Sequence, residues 1–215
     1  MDIVIVGNGR SLQDGGLGPQ IDAALVARTF NCDWQLSSPA ADYGRRYDIG
    51  ILTGRAVRGD FWRHPRPARL TLSYVKDSQE WEVDRMHRER DATFLFSHAA
   101  TRLWQQKLRA RSAVANAVLT RGMAAIIMLA AQREMLGTRR ILLAGFDEVL
   151  AGRKAATIGE RYPETYIARM GFRQHRRTHP FDHDYAVERV LLPEIAEQYG
   201  VTIAPLVRPA DEAAA

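Results

Sequence analysis

The chain has 215 residues, 46% of them hydrophobic, with 16 glycines, 9 prolines and one cysteine. That length predicts one domain with a core of useful size, and the composition excludes disordered, collagen-like and disulfide-stapled architectures. The formal charge is +5. Of the 30 basic residues only Lys76, Lys107 and Lys154 are lysine, which leaves 27 arginines. A GC-rich coding bias accounts for that excess; so does recognition of anions, because guanidinium forks pair with phosphate and carboxylate in bidentate geometry. No local basic stripe resembles a nucleic-acid module, so nucleic acid is not an expected partner. The longest apolar run, Met123–Ala131, is far short of the ~20 residues of a membrane span. The first residues lack a basic region and a cleavage site, so the expected location is the cytoplasm. Cys32 reads as a buried structural thiol.

Asp2–Val6 is a short apolar run that ends at Gly7-Asn8-Gly9, the pattern of a buried first strand entering a tight loop. Ala24–Thr29 reads as a second strand or as the tail of a helix begun near Pro19. Asp48–Thr53, Arg69–Val75 and Ala92–Phe96 read as further strands, the second of them alternating with period two. His98–Arg111 has helical composition. Gly122–Met135 is almost entirely Ala, Ile, Met and Leu, which predicts one buried helix with Gly137 as its C-cap. Arg140–Gly145 follows as a buried strand, Asp184–Tyr199 as a helix closed by Gly200, and Val201–Ala204 as a last strand. Short apolar strands alternating with helices predict an α/β fold around a mostly parallel sheet with helices on both faces. Gly152–Thr178 is polar and rich in arginine and glycine, and it reads as a long irregular segment, either a lid or binding loop or else disordered.

The loop Gly7-Asn8-Gly9-Arg10-Ser11-Leu12 places backbone N–H groups at the carboxyl edge of the sheet, where α/β proteins bind ligands. It is not the dinucleotide fingerprint, because Leu12 stands where the third glycine belongs; that argues against a nicotinamide- or S-adenosylmethionine-dependent enzyme. A mere tight turn is the competing reading. In His179-Pro180-Phe181-Asp182-His183-Asp184, an imidazole can act as a general base and a carboxylate can orient it. The same residues could hold a metal or form an inert surface pair, although no metal-type spacing is present.

Taken together these segments resemble sialyltransferases. Val6-Gly7-Asn8-Gly9-Arg10-Ser11-Leu12 is similar to the opening loop of the bacterial family 42 enzymes. Val6-Gly7-Asn8, Leu17-Gly18-Pro19-Gln20-Ile21-Asp22 and Arg28-Thr29-Phe30-Asn31 resemble the large sialylmotif of the animal family 29 enzymes. Thr120-Arg121-Gly122, the apolar helix and Leu142–Asp147 resemble the small one, and His179 with Asp184 matches the spacing of the family's catalytic histidine and acidic residue. The resemblance runs from Val4 to Leu206 and is sparse between Thr53 and Ala117.

The resemblance implies a GT-A variant, a single Rossmann-like domain over residues 1–215 with a lid at about 152–178. It implies transfer of an acidic sugar from a CMP-activated donor to a glycan hydroxyl, with inversion and without metal or other cofactor. The implied donor site is Gly7, Asn8, Gly9, Ser11, Asn31, Thr120, Arg121 and Gly122, and the implied catalytic pair is His179 as base with Asp184; His183 is the rival base. Family 42 enzymes place two tyrosines after the strand that ends in Gly145-Phe146-Asp147 to help the departing phosphate. Here the following stretch holds none, so Tyr162 or Tyr166 from the lid would serve, or arginines would replace them. Arg121 stands where the family often has a small serine, which leaves the donor sugar open. The family's membrane-associating C-terminal region and the animal enzymes' disulfide cysteines are missing; an association with the inner face of the membrane would come through the acceptor. The alternatives are a CMP-Kdo-dependent transferase and a nucleotide-binding α/β protein without transfer activity.

Overall fold

The computed structural model describes residues 1–29, 32–53, 68, 70–74, 94–96, 98–171 and 183–207. Among the described residues, seven strands form one sheet: β1 (Asp2–Val6), β2 (Leu25–Arg28), β3 (Ile49–Thr53), β4 (Leu70–Tyr74), β5 (Phe94–Phe96), β6 (Arg140–Ala144) and β7 (Thr202–Pro205). Their order is β5-β4-β3-β2-β1-β6-β7 and every pairing is parallel. The chain therefore walks outward from β1 to β5, then returns to the far side of β1 for β6 and β7. β1 lies inside the sheet between β2 and β6, and its residues 3–6 are fully buried. Ile3 and Ile5 join one core while Val4 and Val6 join the other, so the sheet is covered on both faces.

The first face carries α4 (His98–Arg111), α5 (Arg121–Ala131) and α10 (Tyr185–Tyr199). α5 is the most buried of these, with eight residues from Met123 to Ala130 in the core. The second face carries α1 (Gly18–Asp22), α2 (Cys32–Ser37) and α3 (Ala40–Tyr43), whose Ile21, Trp34 and Tyr43 pack against Val4, Val6 and Val26. Cys32 is a buried free thiol, as its surroundings in the sequence predict.

Of the two readings of 24–29 the strand holds, as β2 over Leu25–Arg28, and the helix near Pro19 is a separate element, α1, that ends at Asp22. Two expectations change. The long apolar helix breaks at Gln132: α5 stops at Ala131, and a short α6 (Arg133–Leu136) without buried residues leads to the left-handed Gly137. The apolar run ends at that point, and α6 meets the core through the partly buried Leu136. The polar segment is not irregular. After α7 (Asp147–Ala151) it forms α8 (Ile158–Arg161) and α9 (Glu164–Met170), with Ile158, Tyr166 and Ile167 buried. Its remainder, 172–178, lies outside the described residues.

Candidate active site

Strand order reverses between β1 and β6, and in an open parallel sheet that is where the two following loops splay apart and leave a crevice at the carboxyl ends. The crevice floor is made by those loops touching. The Gly7 and Gly9 N–H groups donate to the carbonyls of Ala144 (2.7 Å) and Gly145 (2.9 Å). A Cβ on Gly7 would lie 2.4 Å from the Gly145 oxygen, so only glycine permits this approach. Ser11 is tied to the same loop: its N–H donates to Asp147 Oδ2 at 2.9 Å and its hydroxyl to Asp147 Oδ1. The N–H groups of Gly7 and Gly9 therefore join strand loops, and Ser11 does not line the crevice.

Asn8 does line it, backed by a chain of buried polar groups. Gln35, on α2 and fully buried, donates from Nε2 to Asn8 Oδ1 (2.9 Å) and to the carbonyls of Gly7 (2.9 Å) and Val6 (3.1 Å). Behind it Arg28, the last residue of β2, is also fully buried; its guanidinium donates to the Arg46 and Tyr43 carbonyls, each at 2.8 Å. Burial pulls its pKa down to about 10, which keeps it protonated at neutral pH.

The start of α5 forms the next part of the wall. Thr120 caps the helix by accepting from Met123 N–H at 3.1 Å. Its own N–H and hydroxyl donate to Glu188 on α10, the hydroxyl at 2.9 Å. Glu188 is fully buried, and desolvation pushes its carboxyl up to about 8. Thr120 thus holds the helix start in place with its hydroxyl committed on both sides. Arg121 and Gly122 follow, and both line the crevice. The first N–H groups of a helix lack intrahelical acceptors and favour an anion.

The opposite wall is charged. Arg161 at the end of α8 pairs with Glu148 of α7 (2.9 Å), with side chains only 16% and 12% exposed. It also donates to the Tyr185 hydroxyl at 2.9 Å and lies over the Tyr162 ring, 5.0 Å from its centroid. Tyr166 stacks edge-on against Trp34 and beside Tyr162, both at 4.8 Å, and both tyrosines line the crevice. Burial raises the pKa of Tyr162, Tyr166 and Tyr185. His183 also lines the crevice, and its Nδ1 lies 2.8 Å from the Val118 carbonyl. An N–H donated there puts the neutral ring's lone pair on Nε2. Burial lowers its pKa below the ordinary 6.5.

These walls enclose about 290 Å³. The geometry combines an anion-favouring helix start, two arginines, buried protonated phenols and a neutral imidazole around one space. That set can bind a phosphorylated or carboxylated ligand and remove a proton from a hydroxyl. The chain is similar in fold to a mammalian sialyltransferase solved in complex with Gal-beta-1-3GalNAc-ortho-nitrophenol: TM-score 0.52, 15% identity, covering 94% of this chain and 68% of that one. A second mammalian sialyltransferase structure matches over the same shares with TM-score 0.51 and 15% identity. The fold is sialyltransferase-like. No protein-family profile and no curated protein matches the sequence.

Within this sialyltransferase-like fold, Gly7, Asn8, Gly9, Thr120, Arg121, Gly122, Tyr162 and Tyr166 all lie around the crevice. Asn31 and His179 lie outside the described residues. Asp184 does not line the crevice: its Oδ1 caps α10 through Val187 N–H (3.1 Å), and its Oδ2 accepts from the Ser112 hydroxyl (2.7 Å). Sequence reasoning missed Arg161, Glu148, Tyr185 and Glu188. A signal for α8 was present, since Thr157-Ile158-Gly159-Glu160 has the spacing of a capping box. Thr157 does accept from the Glu160 N–H at 3.2 Å.

Proposed function

We propose that the protein is a glycosyltransferase that moves an acidic sugar from a CMP-activated donor to a glycan hydroxyl, with inversion and without a metal. The observation that carries this reading is the crevice at the β1/β6 switch point, which gathers anion-binding groups and a neutral histidine in a sialyltransferase-like fold.

The donor phosphate lies between Asn8 and the start of α5, and Arg121 neutralises charge on the donor. His183 is the base. Its Nε2 takes the acceptor proton as the hydroxyl oxygen attacks the anomeric carbon, and the bond to the phosphate oxygen breaks on the opposite face. CMP leaves with the electron pair. Tyr162 and Tyr166, kept protonated by burial, donate hydrogen bonds to the departing phosphate, a stabilisation that grows as its charge develops. The two carboxylates that follow β6 are already committed, Asp147 to Ser11 and Glu148 to Arg161, which supports a metal-independent route.

The test is calorimetry with CMP and UDP, followed by transfer assays with CMP-sialic acid and CMP-Kdo in EDTA. CMP binds and UDP does not, and transfer survives the chelator. Equal affinity for UDP overturns the donor assignment. Loss of transfer in EDTA with recovery in Mn²⁺ overturns the metal-free route. CMP binding without transfer to any glycan leaves a nucleotide-binding protein.

A further inference from the structure

A fully buried glutamine, Gln35, and a fully buried arginine, Arg28, stand in line behind Asn8. Neither is needed to fill space: a leucine or methionine would pack there without burying polar atoms that each require a partner. Their hydrogen bonds share one direction. Gln35 Nε2 faces three acceptors, the Val6 and Gly7 carbonyls and Asn8 Oδ1. Turning the Gln35 amide over would set its oxygen against all three, so the network fixes it. Arg28 stands on the oxygen side, with one guanidinium nitrogen 3.5 Å from Gln35 Oε1. Donors thus run from the core outward, and the last acceptor is Asn8 Oδ1. An amide carries its oxygen and its nitrogen on opposite prongs, so with Oδ1 held by Gln35 the Nδ2 group of Asn8 points away from Gln35, and Asn8 lines the crevice.

Resting on the reading of the crevice as a CMP-sugar site, we propose that Gln35 is a positioning residue for the donor phosphate: by occupying Asn8 Oδ1 it fixes the Asn8 side chain with its NH₂ group presented to the anion. Without that constraint the Asn8 amide can turn over and offer an oxygen, which repels phosphate. Arg28 acts one step further back, holding Gln35 in the orientation that donates.

The experiment compares the affinities of CMP and cytidine, which differ by the phosphate alone, in the wild type, Gln35→Glu and Asn8→Ala. An ionised carboxylate at position 35 has no N–H for Asn8 Oδ1 and attracts its NH₂, which turns the amide over. Gln35→Glu is expected to lose roughly tenfold in CMP affinity, the order of a hydrogen bond to a charged group, and to bind cytidine as the wild type does. In the Asn8→Ala background the same substitution has no further effect on CMP, because the group it positions is gone. A second measurement needs no variant at position 35. In the wild type, the Asn8 side-chain NH₂ resonance shifts with CMP and not with cytidine, and the Gln35 NH₂ protons exchange slowly. Gln35→Glu keeping the preference for CMP over cytidine overturns the inference alone, as does an Asn8 NH₂ resonance indifferent to CMP. A wild type that binds neither ligand overturns the CMP reading of the crevice and this inference with it.

Discussion

Two walls of the same crevice are held in place by different forces. From Arg28 through Gln35 to Asn8, the contacts are amides and guanidinium N–H groups on carbonyls, each bond set by direction. Across the opening, Arg161, Glu148, Tyr185 and His183 are held by an ion pair and by groups whose protonation responds to their surroundings. The first wall can fix geometry over a wide pH range. The second carries the charge and the proposed proton acceptor, so it is where pH and salt act. A transferase needs both: a rigid grip on the donor, and a titratable group beside the attacking hydroxyl.

The sharpest way to break the comparison is at His183. His183→Ala should lower kcat by ~10²–10⁴-fold, the usual contribution of a positioned base, and change CMP affinity only a few-fold. In the wild type, kcat/KM should fall as pH falls through the His183 pKa, which burial holds below 6.5. His179→Ala is the deciding control: if it abolishes transfer and His183→Ala does not, the base is His179. Next in size is Glu148→Gln, which strands a mostly buried guanidinium. It should cost about 3 kcal/mol in urea unfolding, the lower end for a broken buried pair. On the directional wall, Gly7→Ala sets a Cβ 2.4 Å from the Gly145 oxygen. Its cost should be ~1–3 kcal/mol from overpacking, read from the same unfolding curves. The smallest effect is expected at the outer latch, where Arg169 of α9 meets Asp33 of α2 at 2.7 Å with half and a third of their side chains exposed. Asp33→Asn should shift stability by less than ~1 kcal/mol, and the difference should shrink in high salt.

The directional wall was half legible in the sequence, the charged wall less so. Asp2–Val6 before Gly7-Asn8-Gly9, and Arg140–Ala144 before Gly145-Phe146-Asp147, mark two buried strands and the loops that form the crevice floor. Strand burial leaves a period and a composition that can be read directly. Gln35 and Glu188 leave neither. Each is an ordinary polar residue in a helix, and each has its role because of a group 27 or 68 residues away. α8 and α9, at four and seven residues, are too short for a helical period to emerge from a polar background. Asp184 differs again: its spacing from His179 points to catalysis, while its side chain caps a helix and binds Ser112, and His179 lies outside the described residues.

Glu188, beneath the start of α5, makes folding a proton-binding reaction. In the unfolded chain its carboxyl ionises near 4.5, and in the folded protein near 8. At neutral pH the chain must therefore take up a proton as it folds. By linkage this group favours the folded state most at pH values below 4.5, and that contribution declines as pH rises toward 8. The heat of unfolding at pH 7 accordingly contains the ionisation heat of whichever buffer accepts the released proton. It should differ between phosphate and Tris, and Glu188→Gln should remove this residue's share of that difference.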